Sequence, residues 1–232
     1  MKDLIVALDV SSIDQLDYFL NLFNEPIYVK VGMELFYSLG FEAINRIIEK
    51  KHNVFLDLKL HDIPNTVYNA MKALLVNPIS MVNVHAAGGI DMMKAAARAR
   101  DQSDNKPLLI AVTMLTSTSK ETMNEEILIP GNVDSTVLKY AKTAKDAGFD
   151  GVVCSAREVP LIKSKLGNDF ITVTPGIRPL GYGDDDQKRI VTPIDAAKLG
   201  SDFIVVGRPI TKSSIPSIAY NDIKTQFLGG KR

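Results

Sequence analysis

A chain of 232 residues, 46% of them hydrophobic, is long enough to bury a large core. Its 27 basic and 27 acidic residues cancel, which excludes the basic footprint of a nucleic-acid binder or a membrane-surface protein. The one cysteine, Cys154, excludes an internal disulfide and a cysteine-based metal site; in the apolar run Gly151-Val152-Val153-Cys154 it reads as a small buried hydrophobe.

The chain from Met1 goes directly into an apolar run, Leu4 to Leu8, with neither a signal-peptide pattern nor a membrane-length segment, so a cytoplasmic location is expected. Further short β-branched runs follow at Ile27–Val31, Val54–Leu58, Met81–His85, Leu108–Val112, Gly151–Cys154, Phe170–Thr174 and Phe203–Val206. Between them apolar residues recur at three and four spacing, predicting helices over Ile13–Phe23, Glu34–Lys50, Val67–Leu75 and Val133–Ala147. No linker or low-complexity stretch divides the chain, so residues 1–232 are expected to form a single domain. Strand and helix alternating through eight units at this length predict an α/β fold, a (β/α)₈ TIM barrel with parallel strands. A doubly wound open sheet is the alternative, but it usually carries a glycine-rich turn after its first strand, where this chain has Asp9-Val10-Ser11-Ser12.

In a barrel the active site is built from the C-terminal ends of the strands and the loops that follow. Polar residues gather at those ends. Asp9 closes the first strand, Lys30 falls in the second, Asp57 and Lys59 end the third, and His85 ends the fourth; Thr116 and Ser117 follow the fifth. Asp57 and Lys59 are two apart, so on a strand they share a face while Leu56, Leu58 and Leu60 share the other. Buried ion pairs are weak devices for stability, which favours a functional reading of Lys30, Asp57, Lys59 and Asp62 over a purely structural network. Behind them Ile63-Pro64-Asn65-Thr66 reads as a helix start. After the seventh and eighth strands, Pro175-Gly176-Ile177-Arg178 and Gly207-Arg208 each place glycine beside arginine where barrels of this kind hold phosphate. The run Gly181 to Gln187, with its acidic triplet, reads as a loop able to move over a ligand. The three histidines lack short ligand spacing: His52 is expected in a solvent-facing turn, and His85 either lines the pocket or is a satisfied core histidine, the second reading being preferred.

With these residues in order, the chain resembles the orotidine 5′-phosphate decarboxylase family in its compact bacterial form, over essentially its whole length. The family pattern D-x-K-x-x-D-I-P-x-T stands here at Asp57 to Thr66. Around it fall Ala7-Leu8-Asp9, Val29-Lys30-Val31-Gly32, Val82-Asn83-Val84-His85-Ala86, Leu115-Thr116-Ser117, Thr174 to Arg178, and Val205 to Arg208. The resemblance implies decarboxylation of orotidine 5′-phosphate to uridine 5′-monophosphate without a cofactor or metal. It makes Lys59 the proton donor, puts Asp57 beside the substrate carboxylate, and completes the charged array with Lys30. Asp62 and Thr66 would reach into the neighbouring subunit's site, making a homodimer the working unit. Asp9 would bind ribose, Thr116 and Ser117 the pyrimidine, and Arg178, Gln187, Gly207 and Arg208 the phosphate and its lid, with Pro175 also against the substrate.

Two rivals stand beside this reading. Related sugar-phosphate lyases and synthases share the D-x-K-x-x-D core but use a divalent metal to stabilise an enediolate; an acidic ligand stands in the region where this chain has Lys30. A catalytically silent barrel binding a phosphorylated metabolite is the other, but binding alone would not require Asp57 and Lys59 side by side.

Overall fold

The computed structural model describes residues 2–180 and 191–229. In chain order the first half runs β1 (Asp3–Leu8), α1 (Ile13–Leu20), β2 (Tyr28–Val31), α2 (Met33–Leu39), α3 (Phe41–Glu49), β3 (Asn53–Leu60), α4 (Pro64–Leu74), β4 (Met81–His85) and α5 (Gly89–Asp101). The second half runs β5 (Leu108–Val112), α6 (Val133–Asp146), β6 (Gly151–Val153), α7 (Val159–Leu166), β7 (Ile171–Thr174), α8 (Pro193–Leu199), β8 (Phe203–Val206), α9 (Arg208–Thr211) and α10 (Pro216–Leu228). The strands close into a barrel in sequence order, β1 to β8, with β1 paired to β8 and every pairing parallel. The TIM barrel expected from the alternation is the fold; the open sheet is excluded by the β1–β8 pairing.

Strand alternation divides the core in two. Ile5, Ala7, Phe55, Met81, Ile110, Val173, Phe203 and Val205 fill the barrel interior, joined by partly buried Tyr28, Leu108, Val153 and Ile171. The residues between them, such as Leu4, Val6, Leu56, Val82, Leu109 and Ile204, face outward and pack under the helices with Leu16, Ile44, Ile47, Val67, Met93 and Ile223. Both faces of each strand are thus apolar, as a sheet covered on its outside by helices requires. At the C-terminal ends the inward positions change character: Lys30 follows Tyr28, Asp57 follows Phe55, and Asn83 follows Met81. The barrel is capped there by a polar layer.

Element ends differ from expectation in ways with local causes. The continuous helix expected over Glu34–Lys50 is two, because Gly40 adopts φ +59° and breaks it between Leu39 and Phe41. The first helix stops at Leu20, with Asn21 as its cap, short of Phe23. The fourth starts at Pro64, where the Ile63-Pro64-Asn65-Thr66 pattern put a helix start and three residues before the apolar periodicity at Val67; proline needs no amide partner in a first turn. His52, expected in solvent, is 6% exposed. Its Nδ1 accepts from the Ile27 amide at 3.3 Å and its Nε2 meets the Leu20 carbonyl at 3.3 Å, so the ring ties the end of α1 to the approach to β2. Burial, the first cause, lowers its pKa below the ordinary histidine value.

Candidate active site

Four charged side chains of alternating sign stand in a row across the first three strand ends. The Lys30 ammonium lies 3.3 Å from Asp9 Oδ1 and 3.5 Å from Asp57 Oδ2, and Lys59 Nζ donates to Asp57 Oδ1 at 2.7 Å. Asp57 is 8% exposed. A carboxylate so far out of water needs charged partners and hydrogen bonds, and it has both. The space for this row depends on Gly32: a Cβ there would lie 2.7 Å from Lys30 Nζ and 3.6 Å from Asp9 Oδ1.

Lys59 reaches its place through an unusual backbone. Its φ is +54°, in the left-handed region that a side chain with a Cβ occupies rarely. The ladder between β3 and β4 pairs Leu56 with Val82 and next Leu60 with Val84, so Asp57, Leu58 and Lys59 face Asn83 alone. The strand bulges where its charges are. Leu58 and Leu60 still pack on the outer core, so Asp57 and Lys59 share the inner side as the two-residue spacing predicts.

Lys30, Asp57 and Lys59 form one wall of a cavity of about 240 Å³. Thr116, Ser117 and Pro175 line it too. Its remaining lining includes Phe55, Val112, Val153, Val173 and Val205, with Cys154 and the loop residues Met114 and Leu115. These apolar residues were not read from the sequence as site residues, because in a strand run they are indistinguishable from core; only closure of the barrel puts their inner ends under the charges. Cys154 is buried, as expected. One pocket with a charged side and an apolar floor suits a planar heterocycle carrying a charged substituent.

The loop after β7 turns at Gly176, where φ is +78°. Arg178 is buried, not a surface residue, and its Nη1 donates to the Ile177 carbonyl at 2.9 Å. Ile177 bridges Val191, so the chain is pinned at both flanks of residues 181–190. Gln187 and the acidic triplet lie outside the described residues. Gly207 sits next to β1, its position for a Cβ 3.5 Å from Ala7 Cβ and 3.9 Å from Asp9 Oδ2, and Arg208 begins α9 directly after it.

Asp62 and Thr66 are exposed, away from the cavity lining. Asp62 Oδ1 accepts from the Ile63 amide at 2.6 Å. His85 is not the satisfied core histidine preferred from the sequence, nor does it line the cavity: its buried Nδ1 has no hydrogen-bond partner among the described residues, and its ring lies 5.6 Å from that of His61. Burial first, then His61 and Lys59, lowers its pKa. In the sequence Asn83 stands within the fourth apolar run and the family pattern, with no role implied for it. In the fold it is completely buried and bonded to both Asp57 and Lys59. A polar residue at an inward position of the apolar run Met81-Val82-Asn83-Val84 was its signal.

Known proteins resemble this chain over its whole length. A model of the orotidine 5′-phosphate decarboxylase / HUMPS family matches residues 2–223. The chain belongs to that family. A curated orotidine 5′-phosphate decarboxylase of Staphylococcus saprophyticus is 53% identical over 230 residues, covering 99% of this chain and 100% of that one. Another from Streptococcus thermophilus is 52% identical, covering 96% of each. Among solved structures, the orotidine 5′-phosphate decarboxylase of Lactobacillus acidophilus superposes with a TM-score of 0.87 at 43% identity, covering 98% of this chain and 99% of that one. Family membership thus rests on whole-length similarity, in keeping with the barrel and its ring of polar strand ends.

Proposed function

We propose that this chain decarboxylates orotidine 5′-phosphate to uridine 5′-monophosphate and CO₂, the last step of UMP synthesis, as a carboxy-lyase that takes no cofactor. The observation that carries the reading is the Asp9–Lys30–Asp57–Lys59 row set over an apolar cavity, in a chain 52–53% identical to curated decarboxylases of that name. The whole chain, residues 1–232, works as one domain in the cytoplasm.

The chemistry follows from what the row can do. When the bond from carbon 6 to the carboxylate breaks, CO₂ leaves and the electron pair stays in an in-plane orbital that the ring cannot delocalise well. An ammonium beside that carbon stabilises the pair and then delivers a proton to it, and Lys59 is that group. Asp57, already 2.7 Å from Lys59, disfavours the incoming substrate carboxylate by like-charge repulsion and holds the ammonium at the reacting carbon. Lys30 keeps the two carboxylates Asp9 and Asp57 apart in charge as well as in space. Proton donation alone supplies about 10²–10⁴-fold, short of what most enzymes achieve, so remote binding must add to it. Arg178, Gly207, Arg208 and Gln187 bind the phosphate, and Asp9 the ribose; Thr116, Ser117 and Pro175 contact the pyrimidine.

Asp62 and Thr66 complete the neighbouring subunit's site in a homodimer. In support, both are exposed at the same barrel end, beside Ile63, a large apolar residue 67% exposed. Against the metal-dependent branch of the family stands Lys30, whose ammonium occupies the space between Asp9 and Asp57 that a divalent cation would need. The test is ultraviolet measurement of orotidine 5′-phosphate consumption with and without excess EDTA. Conversion insensitive to the chelator is expected; no conversion, or conversion abolished by EDTA, would overturn the reading.

A further inference from the structure

Where β3 bulges away from β4, one side chain does the work of the missing ladder. Lys59 N–H donates to Asn83 Oδ1 at 2.8 Å, and Asn83 Nδ2 donates to Asp57 Oδ1 at 2.6 Å, the same oxygen that receives Lys59 Nζ. The amide orientation is unambiguous: its oxygen faces an N–H and its nitrogen faces a carboxylate. Asn83 is completely buried and does not line the cavity, which Asp57 and Lys59 do. It closes a ring with Asp57 and Lys59, one bond to the backbone of the lysine and one to the carboxylate that grips the same lysine's ammonium.

We propose that Asn83 is a positioning residue for the reaction, holding the Lys59 backbone in its left-handed conformation and the Asp57 carboxylate in its rotamer so that the ammonium is aimed before substrate arrives. Left-handed backbone at a residue with a Cβ is sparsely populated and persists only where the surroundings impose it. The Asn83 bond to Lys59 N–H is such a constraint, and it lies at the residue whose side chain delivers the proton. An asparagine serves where aspartate would not, because a second carboxylate 2.6 Å from Asp57 would be repelled, and where leucine would not, because Lys59 N–H and Asp57 would each lose a partner. This inference rests on the decarboxylase reading and deepens it.

The test compares wild type, Asn83→Ala and Asn83→Asp in the full chain, with orotidine 5′-phosphate as substrate and folding followed by circular dichroism. Asn83→Ala is expected to lower kcat about tenfold to a hundredfold, the penalty of a misplaced reacting group, while KM moves less than about threefold. Asn83→Asp keeps the acceptor for Lys59 N–H but sets two carboxylates together, which then share a proton as the solution is acidified. Its kcat relative to wild type should therefore rise from about pH 8 to about pH 5.5, as the shared proton restores the lost donor. The groups around it that also carry charge, Asp9 just after β1, Lys30 in β2, His61 just after β3 and His85 at the end of β4, are common to both proteins and cancel in that ratio. An Asn83→Ala kcat within about twofold of wild type, or a ratio for Asn83→Asp that is flat with pH, would overturn the inference. If Asn83→Ala fails to fold, Asn83→Asp, of the same size, carries the test; loss of fold in both assigns Asn83 to stability alone and also overturns it. A wild-type protein that consumes no substrate overturns the decarboxylase reading and this inference together, whereas an active wild type beside an unaffected Asn83→Ala overturns this inference only.

Discussion

Lys59 carries two unusual properties at once, a left-handed backbone and an ammonium 2.7 Å from a buried carboxylate. Lys59→Ala leaves the backbone requirement unchanged, since alanine also has a Cβ, and removes the side chain beyond it, ammonium included, leaving Lys30 and Asn83 as partners of Asp57. Turnover should therefore fall to near background while the circular dichroism spectrum and cooperative melting persist; wild-type-like activity in this variant would sink the mechanism. Gly32 tests the same row from the side. Its φ of −88° suits alanine, so Gly32→Ala introduces no backbone strain, yet its methyl would have to displace the Lys30 ammonium. Steady-state assay should show kcat/KM reduced by about tenfold or more with a melting temperature close to wild type. An unchanged kcat/KM would mean that the position of Lys30 is not critical.

Among the elements, the eight strands and the helices α1, α4 and α6 were legible, with α2 and α3 read as one, because hydrophobic periodicity is set by burial, and in this fold burial follows the barrel closely. What a linear pattern could not carry was pairing. The bulge at Asp57–Lys59 exists only relative to β4, so Asn83 gained its meaning from a strand over twenty residues away, and the apolar floor under the charges appeared only with closure. His52 failed for the same reason: a histidine after a helix reads as solvent-facing until the end of α1 and the start of β2 are folded over it. That burial has a consequence for pH. Because His52 and His85 both have lowered pKa values when folded, the unfolded chain takes up protons first, and stability declines as pH falls through the unfolded histidine value of about 6.5. Thermal melting between about pH 7.5 and pH 5.5 should show this decline, and His52→Gln should melt lower throughout with a shallower slope. A slope untouched by that substitution would remove His52 as a contributor.

At the scale of the whole molecule, β8 closes against β1 so that Gly207 neighbours Asp9, which brings the proposed phosphate end and the proposed reacting end of the site to one rim. On that proposal, binding energy collected at the phosphate is used at carbon 6. Arg208→Ala should raise KM and lower kcat for orotidine 5′-phosphate, yet barely alter the slow turnover of orotidine, which has no phosphate to bind; equal losses on both substrates would place Arg208 outside phosphate recognition.

The proposed shared-site dimer makes the strongest demand on the assembly. If Asp62 serves the neighbouring subunit's site, then Asp62→Asn and Lys59→Ala homodimers each have two defective sites, while a mixed dimer has one site with both defects and one site with neither. The intact site pairs Lys59 of one protomer with Asp62 of the other. Unfolding and refolding an equal mixture should therefore restore about a quarter of wild-type activity, since half of the dimers are mixed and each has one working site of two. The outcome separates a shared site from an independent one: if Asp62 acted within its own protomer, mixing would only average the two defects, because no exchange of subunits could unite a wild-type Lys59 with a wild-type Asp62. Activity that stays at the mean of the two parent variants after exchange, with dimers confirmed by sedimentation, would confine Asp62 to its own chain.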